Sequence, residues 1–241
     1  MKDNILGFDV LNTTYEDLIT NLFNDINNKK KNFIVNINPF IIMNFYKNKE
    51  IVKKLNEEKY QIPDGIGIVW ASKFNQKKIK NRITGIDLMD KICLKAAKEK
   101  KKVFLCGAAP EVANQAKIVL KQKYHNIKIG GVCNGYLSEN EMVKQINKAK
   151  ADIVFVALGS PKQELFILNN KNILNYKLIM PVGGSFDVIS GNIKRAPKIF
   201  IKTNTEWLYR MLKEPKRIKR NISLLRFIFL VIFNKNKGEN I

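Results

Sequence analysis

The densest set of side chains able to do chemistry is the segment Ile62-Pro63-Asp64-Gly65-Ile66-Gly67. An Asp between Pro and Gly is ordinarily a turn former whose carboxylate bonds nearby backbone, and taken alone that reading suffices. Here a short strand-like stretch precedes the turn and a helix follows it. A carboxylate so placed can take the proton from an attacking hydroxyl within hydrogen-bond reach. A second segment, Arg82-Ile83-Thr84-Gly85-Ile86-Asp87, offers a guanidinium whose planar fork suits diphosphate oxygens. The structural alternative leaves Arg82 as a surface charge, with Thr84 or Asp87 capping the next helix. In Gly159-Ser160-Pro161-Lys162-Gln163-Glu164, Ser160 as N-cap, Pro161 at the first helical position and Gln163 make a capping box. The Gln163 amide could also reach a ligand.

The elements that must position these residues are legible as apolar periodicity. Five runs have strand character: Phe33–Ile37, Val103–Cys106, Ile127–Val132, Ile153–Leu158 and Leu178–Val182. Helical spacing occupies Ile41–Leu55, Ile66–Phe74, Leu88–Lys100, Glu111–Lys123, Glu139–Lys148 and Lys162–Asn170. Nearly continuous apolar strands alternating with helices predict a doubly wound, Rossmann-like α/β core over residues 1–195, its mostly parallel sheet covered on both faces. Cys106-Gly107-Ala108, Leu158-Gly159-Ser160 and Val182-Gly183-Gly184-Ser185 each join a strand to a helix. In such a sheet these junctions share the carboxyl edge, where free N–H groups at helix starts suit phosphate. Residues 196–241 form a basic appendage in which Trp207, Leu208 and Tyr209 precede an apolar run from Leu224 to Phe233. That run is too short to span a bilayer and suits the headgroup region of an anionic membrane, or docking on the core.

Composition narrows the classes. Forty-three Lys and Arg against 21 Asp and Glu give a net charge of +22, which predicts a polyanionic partner. No RNA-binding signature or zinc-finger spacing supports nucleic acid in that role. Cys93, Cys106 and Cys133 have no paired spacing, and one histidine leaves little for a His-based triad or metal site. Two aspartates never fall at i and i+2, so the DxD element that holds a metal against a nucleotide diphosphate is missing. No metal or cofactor is expected, and positive side chains must then balance a departing diphosphate. Without a signal peptide or an apolar stretch of roughly 20 residues, a cytoplasmic location is expected.

Taken in order, Pro63-Asp64-Gly65-Ile66-Gly67, Arg82 to Asp87, Gly159 to Glu164, Gly183-Gly184-Ser185-Phe186-Asp187, Arg195-Ala196-Pro197 and Glu206-Trp207-Leu208-Tyr209-Arg210 resemble the WecG/TagA/CpsF family of glycosyltransferases over nearly the whole chain. The resemblance implies an inverting, metal-independent transferase at the inner face of the membrane. The family's best-known members move N-acetylmannosamine from a UDP-sugar to undecaprenyl-diphosphate-linked N-acetylglucosamine, and relatives use other sugars for capsules or exopolysaccharides. It makes Asp64 the general base and assigns Arg82 and Gln163 to the donor or its diphosphate. Tyr136 and Asp187 fall near the nucleotide, and Arg210, Arg217 and Arg220 close over the site from the tail. Asn38 keeps the family's Thr-x-Asn-Pro/Ala-Glu pattern, whereas Asn36 replaces its Thr and Phe40 its Glu. Both asparagines are expected to touch substrate. Oligomeric state, including a homo-oligomer, stays open.

Overall fold

The computed structural model describes residues 2–77, 79–213 and 218–236, without the side chains of residues 210–213, 218–221 and 234–236. The chain opens with an antiparallel hairpin, β1 (Lys2–Ile5) and β2 (Phe8–Leu11), which periodicity alone did not reveal. Leu6 and Gly7 both have positive φ, 51° and 85°, and the Gly7 N–H donates to Asn4 Oδ1 at 2.9 Å. Two left-handed central residues match the twist of the flanking strands. Helix α1 (Tyr15–Asn27), also unexpected, is capped by Thr14, whose hydroxyl accepts from the Asp17 N–H.

The core then alternates. It runs β3 (Asn32–Ile37), α2 (Pro39–Phe45), α3 (Lys49–Asn56), β4 (Tyr60–Pro63) and α4 (Ile66–Phe74). Next come α5 (Gly85–Lys98), β5 (Lys102–Gly107), α6 (Pro110–Lys123), β6 (Lys128–Cys133) and α7 (Glu139–Ala149). It closes with β7 (Ile153–Ala157), α8 (Lys162–Asn170), β8 (Leu178–Pro181) and α9 (Ser185–Ile189). The six strands β3–β8 form a wholly parallel sheet in the order β4-β3-β8-β7-β5-β6, the doubly wound α/β architecture expected. One expectation needs correction. The single helix over 41–55 is two, because Asn48 accepts from the Ile51 N–H and caps α3 afresh.

Alternate strand residues feed two apolar layers. Val35, Phe104, Val154 and Ile179 face one side, and Ile34, Leu105, Phe155 and Met180 face the other. Gly107 shows how closely β5 and β7 approach. Its φ is +117°, and an added Cβ would lie 2.3 Å from the Ala157 carbonyl oxygen. Strands β3 and β8 pair only at Asn32–Leu178 and Phe33–Ile179, so a crevice opens beyond them at the carboxyl edge.

The appendage holds α10 (Lys198–Lys202), α11 (Glu206–Lys213) and α12 (Ile218–Asn236). Phe227 and Val231 of α12 are fully buried in the same apolar cluster as Ile41, Ile42 and Phe45 of α2. Each such side chain contributes on the order of 2 kcal/mol by leaving water. The opposite face of α12 is also apolar, with Leu225, Phe229 and Phe233 exposed. Among the described residues, no helix is long and apolar enough to cross a membrane.

Candidate active site

A cavity of about 550 Å³ occupies the crevice at the carboxyl edge. It gathers Asn36, Asn38, Asp64, Arg82 and Gln163, five residues separated by up to 127 positions in sequence. Asn36, Asn38 and Asp64 lie at strand ends, and Gln163 on the helix that follows β7. Arg82 lies between α4 and α5, where the next residue's N–H, that of Ile83, donates to the Pro63 carbonyl at 2.9 Å. The Asp64 N–H donates to the Ile37 carbonyl at 2.8 Å, tying the turn after β4 to the tip of β3. Gly65 follows with φ +106°, a conformation that other residues rarely adopt. Asn38 caps α2 by accepting from the Ile41 N–H at 2.9 Å, and its amide nitrogen stands 3.5 Å from Asp64 Oδ2. A cap that is itself fixed thus steadies the carboxylate of Asp64, which lines the cavity.

Asn36 bridges the crevice. Its amide donates to the Pro181 carbonyl at 2.9 Å, while its Oδ1 is buried with no hydrogen-bond partner among the described residues. A buried acceptor left unmet costs about 1–3 kcal/mol, which a ligand N–H or O–H would recover.

Arg82 donates from Nη1 to Asn204 Oδ1 at 3.0 Å and from Nη2 to Glu206 Oε2 at 3.3 Å. Thr84 caps α5 through the Asp87 N–H, as one of the two sequence alternatives held, and its hydroxyl also donates to Asp87 Oδ2 at 2.6 Å. Asp87 receives Arg195 Nη2 at 2.7 Å. Both charged residues of the Arg82–Asp87 segment therefore hold the far end of the chain: Arg82 pairs with Glu206 in residues 196–241, and Asp87 with Arg195, the last residue before them. Local spacing could not show this, because the partners lie more than a hundred residues away.

The capping box expected at Ser160 does not form. Helix α8 starts at Lys162 with Pro161 as its N-cap and no side-chain capping bond. The start falls one residue too late for Ser160 to reach the orphan N–H groups. Its hydroxyl donates instead to Glu164 Oε2 at 2.8 Å. Gln163 gives its amide to Glu164 Oε1 at 2.8 Å and accepts from the Gly183 N–H at 3.0 Å, joining the loops after β7 and β8. Glu164, almost fully buried on the cavity wall, was not anticipated. Nor was the apolar rim of Trp70, Trp207, Leu224 and Ile228.

Other expected residues lie outside the cavity lining. Tyr136, 80% exposed, follows β6 at the far edge of the sheet, and Asp187 lies on α9 with Oδ1 accepting from Asn192 at 3.3 Å. Arg217 lies outside the described residues, as do the side chains of Arg210 and Arg220. No group of three or more His, Cys, Asp or Glu able to hold a metal occurs among the described residues.

A parallel α/β sheet with a carboxylate, a guanidinium and helix starts around one crevice defines an enzyme built to handle a phosphorylated ligand at its carboxyl edge. The family profile described as Glycosyl transferase WecG/TagA/CpsF matches residues 3–240, and the chain belongs to that family; it is a glycosyltransferase. Among similar proteins, the N-acetylglucosaminyldiphosphoundecaprenol N-acetyl-beta-D-mannosaminyltransferase of Staphylococcus aureus (strain MRSA252) is 40% identical over 241 residues, covering 98% of this chain and 94% of the relative. The protein of that name from Bacillus subtilis (strain 168) is 39% identical over 206 residues, covering 85% of this chain and 80% of the relative.

Proposed function

We propose that the protein transfers N-acetylmannosamine from a UDP donor to N-acetylglucosamine carried on undecaprenyl diphosphate, with inversion at the anomeric carbon and without a metal. The observation that carries this reading is the Asp64 carboxylate, steadied by Asn38, on the wall of a cavity that also holds Arg82. The acceptor hydroxyl oxygen attacks the anomeric carbon and the bond to the UDP oxygen breaks. The hydroxyl proton passes to Asp64, and UDP departs with the bonding pair. Arg82 and the backbone N–H groups after β7 and β8 meet the charge growing on the diphosphate. Gln163 and Asn36 bind the donor side, Tyr136 and Asp187 serve the nucleotide, and the tail arginines Arg210, Arg217 and Arg220 close over it.

The reading places the reaction at the cytoplasmic face of the membrane. The exposed apolar side of α12 and the +22 charge suit an anionic lipid surface, while the apolar rim of the cavity faces the lipid-linked substrate. Residues 1–195 are then the catalytic core and 196–241 the membrane-associating part.

The test is a donor screen with the purified chain, a prenyl-diphosphate-linked N-acetylglucosamine and a panel of UDP-sugars, read by mass spectrometry. Transfer of N-acetylmannosamine, undiminished by EDTA and giving a β-linked product by NMR, is the expected result. Transfer of a different sugar reassigns the donor, and no transfer from any donor overturns the reading.

A further inference from the structure

A chain of three hydrogen bonds joins the loops after β7 and β8, and Glu164, in the first turn of α8, stands in its middle. Glu164 is almost fully buried, and each of its oxygens receives a donor. Oε1 accepts from Gln163 Nε2 and Oε2 from the Ser160 hydroxyl, both at 2.8 Å. The Gln163 Oε1 in turn accepts from the Gly183 N–H at 3.0 Å. Ser160, Gln163, Glu164 and Gly183 all line the cavity.

These partners allow the Gln163 amide one orientation. A backbone N–H can only donate, and a carboxylate that receives a donor on each oxygen only accepts. Turned over, the amide would set its nitrogen against the Gly183 N–H and its oxygen against Glu164. A side-chain amide has two N–H groups, and Glu164 takes one of them. The other is left for whatever fills the cavity. Gln163 is 5% exposed, so little water competes for that hydrogen.

The geometry points to Glu164 as a positioning residue for the leaving group: it holds the Gln163 amide with its nitrogen turned to the diphosphate of the UDP-sugar. The diphosphate oxygens carry no hydrogen and accept only, so an amide carbonyl in that place would repel them. Glu164 thereby decides which end of the Gln163 amide the diphosphate meets, and it acts through Gln163 rather than on the ligand. The inference rests on the reading of the cavity as the site of a UDP-sugar, and names the residue that orients one of its contacts.

The experiment titrates UDP and uridine by calorimetry into the full chain and into Gln163→Ala, Glu164→Leu, the double substitution and Glu164→Gln, each checked for parent-like melting. Glu164→Leu removes the acceptor and should weaken UDP about tenfold, the scale of one charged hydrogen bond, with uridine within about twofold. Glu164→Gln keeps an oxygen for Gln163, and the Ser160 hydroxyl can rotate to accept from the new amide; UDP should then bind within about threefold of the parent. The double variant should bind UDP within about twofold of Gln163→Ala alone, because the two residues act as one unit. Losses that multiply, a Glu164→Leu equal to the parent, a Glu164→Gln as weak as Glu164→Leu, or uridine weakened in step with UDP would each overturn the proposal. Should Glu164→Leu fail to fold, Glu164→Asp, which draws the oxygens back by one methylene, takes its place with the same expectation. A parent that binds UDP but transfers no sugar fails the transferase reading alone, and the titrations still decide the role of Glu164. A parent that binds no UDP overturns both.

Discussion

Replacing Asp64 by Asn isolates the chemistry from the fold. The backbone bond from residue 64 to the Ile37 carbonyl is untouched, and an asparagine Oδ1 can still accept from the Asn38 amide. Neither of these two bonds requires the charge, and the melting temperature should stay within about 3 °C of the parent, the range of a partly exposed isosteric change. What disappears is the ability to take a proton. General-base catalysis contributes about 10²–10⁴ in rate, or about 3–5 kcal/mol of the barrier. Initial rates of transfer to a prenyl-diphosphate-linked acceptor should fall by that factor, while the donor dissociation constant, read by calorimetry, stays within about threefold. Asp64→Glu keeps the base but displaces it by one methylene, about the misplacement that costs on the order of 10²-fold. A well-folded Asn variant with a rate within tenfold of the parent would refute the assignment, and the proton would need another acceptor.

Four further outcomes follow from contacts elsewhere. Glu206→Ala leaves Arg82 without its carboxylate, and removing one partner of a buried pair costs about 3 kcal/mol; limited proteolysis should release the appendage sooner, while Glu206→Gln, which keeps an acceptor oxygen but not the charge, should fall between Ala and the parent. Gly107→Ala forces a Cβ onto the Ala157 carbonyl and should lower the denaturation midpoint severely or prevent soluble expression. Substituting Leu225, Phe229 and Phe233 together by Ser should leave melting nearly unchanged, because these side chains face outward, yet reduce sedimentation with anionic vesicles about tenfold or more. Burial opposes the charge of Asp152, but bonds from Lys177 Nζ at 2.6 Å and the Lys102 N–H at 2.8 Å outweigh it and hold its carboxyl below the usual range. Its stabilising contribution is therefore present above the unfolded-state value of about 4 and lost as pH falls through the lower folded value. Asp152→Asn should lose about 1–2 kcal/mol at neutral pH, and the gap from the parent should narrow in acid denaturation curves.

The sequence by itself determined the alternation of strands and helices, and with it a parallel sheet whose ligand edge carries Asp64, Arg82 and Gln163. It could do so because apolar period, turn glycines and a helix cap such as Thr84 are local, set by neighbours within a few residues. The strand β4 was faint because four residues carry too little periodicity, and the hairpin because its Leu6-Gly7 turn is not a typical turn pair. What only the tertiary structure decided was pairing at a distance. The crevice exists because β3 and β8, far apart in the chain, meet for two residue pairs and then part. Arg82 reaches Glu206, and Glu164 goes under cover, through contacts with no repeating signal. The last helix shows the limit most plainly: Phe227 and Phe229 are the same residue two positions apart, and one is buried while the other meets solvent. Apolar content alone cannot choose between such faces, since the choice depends on where α2 presents a complementary surface.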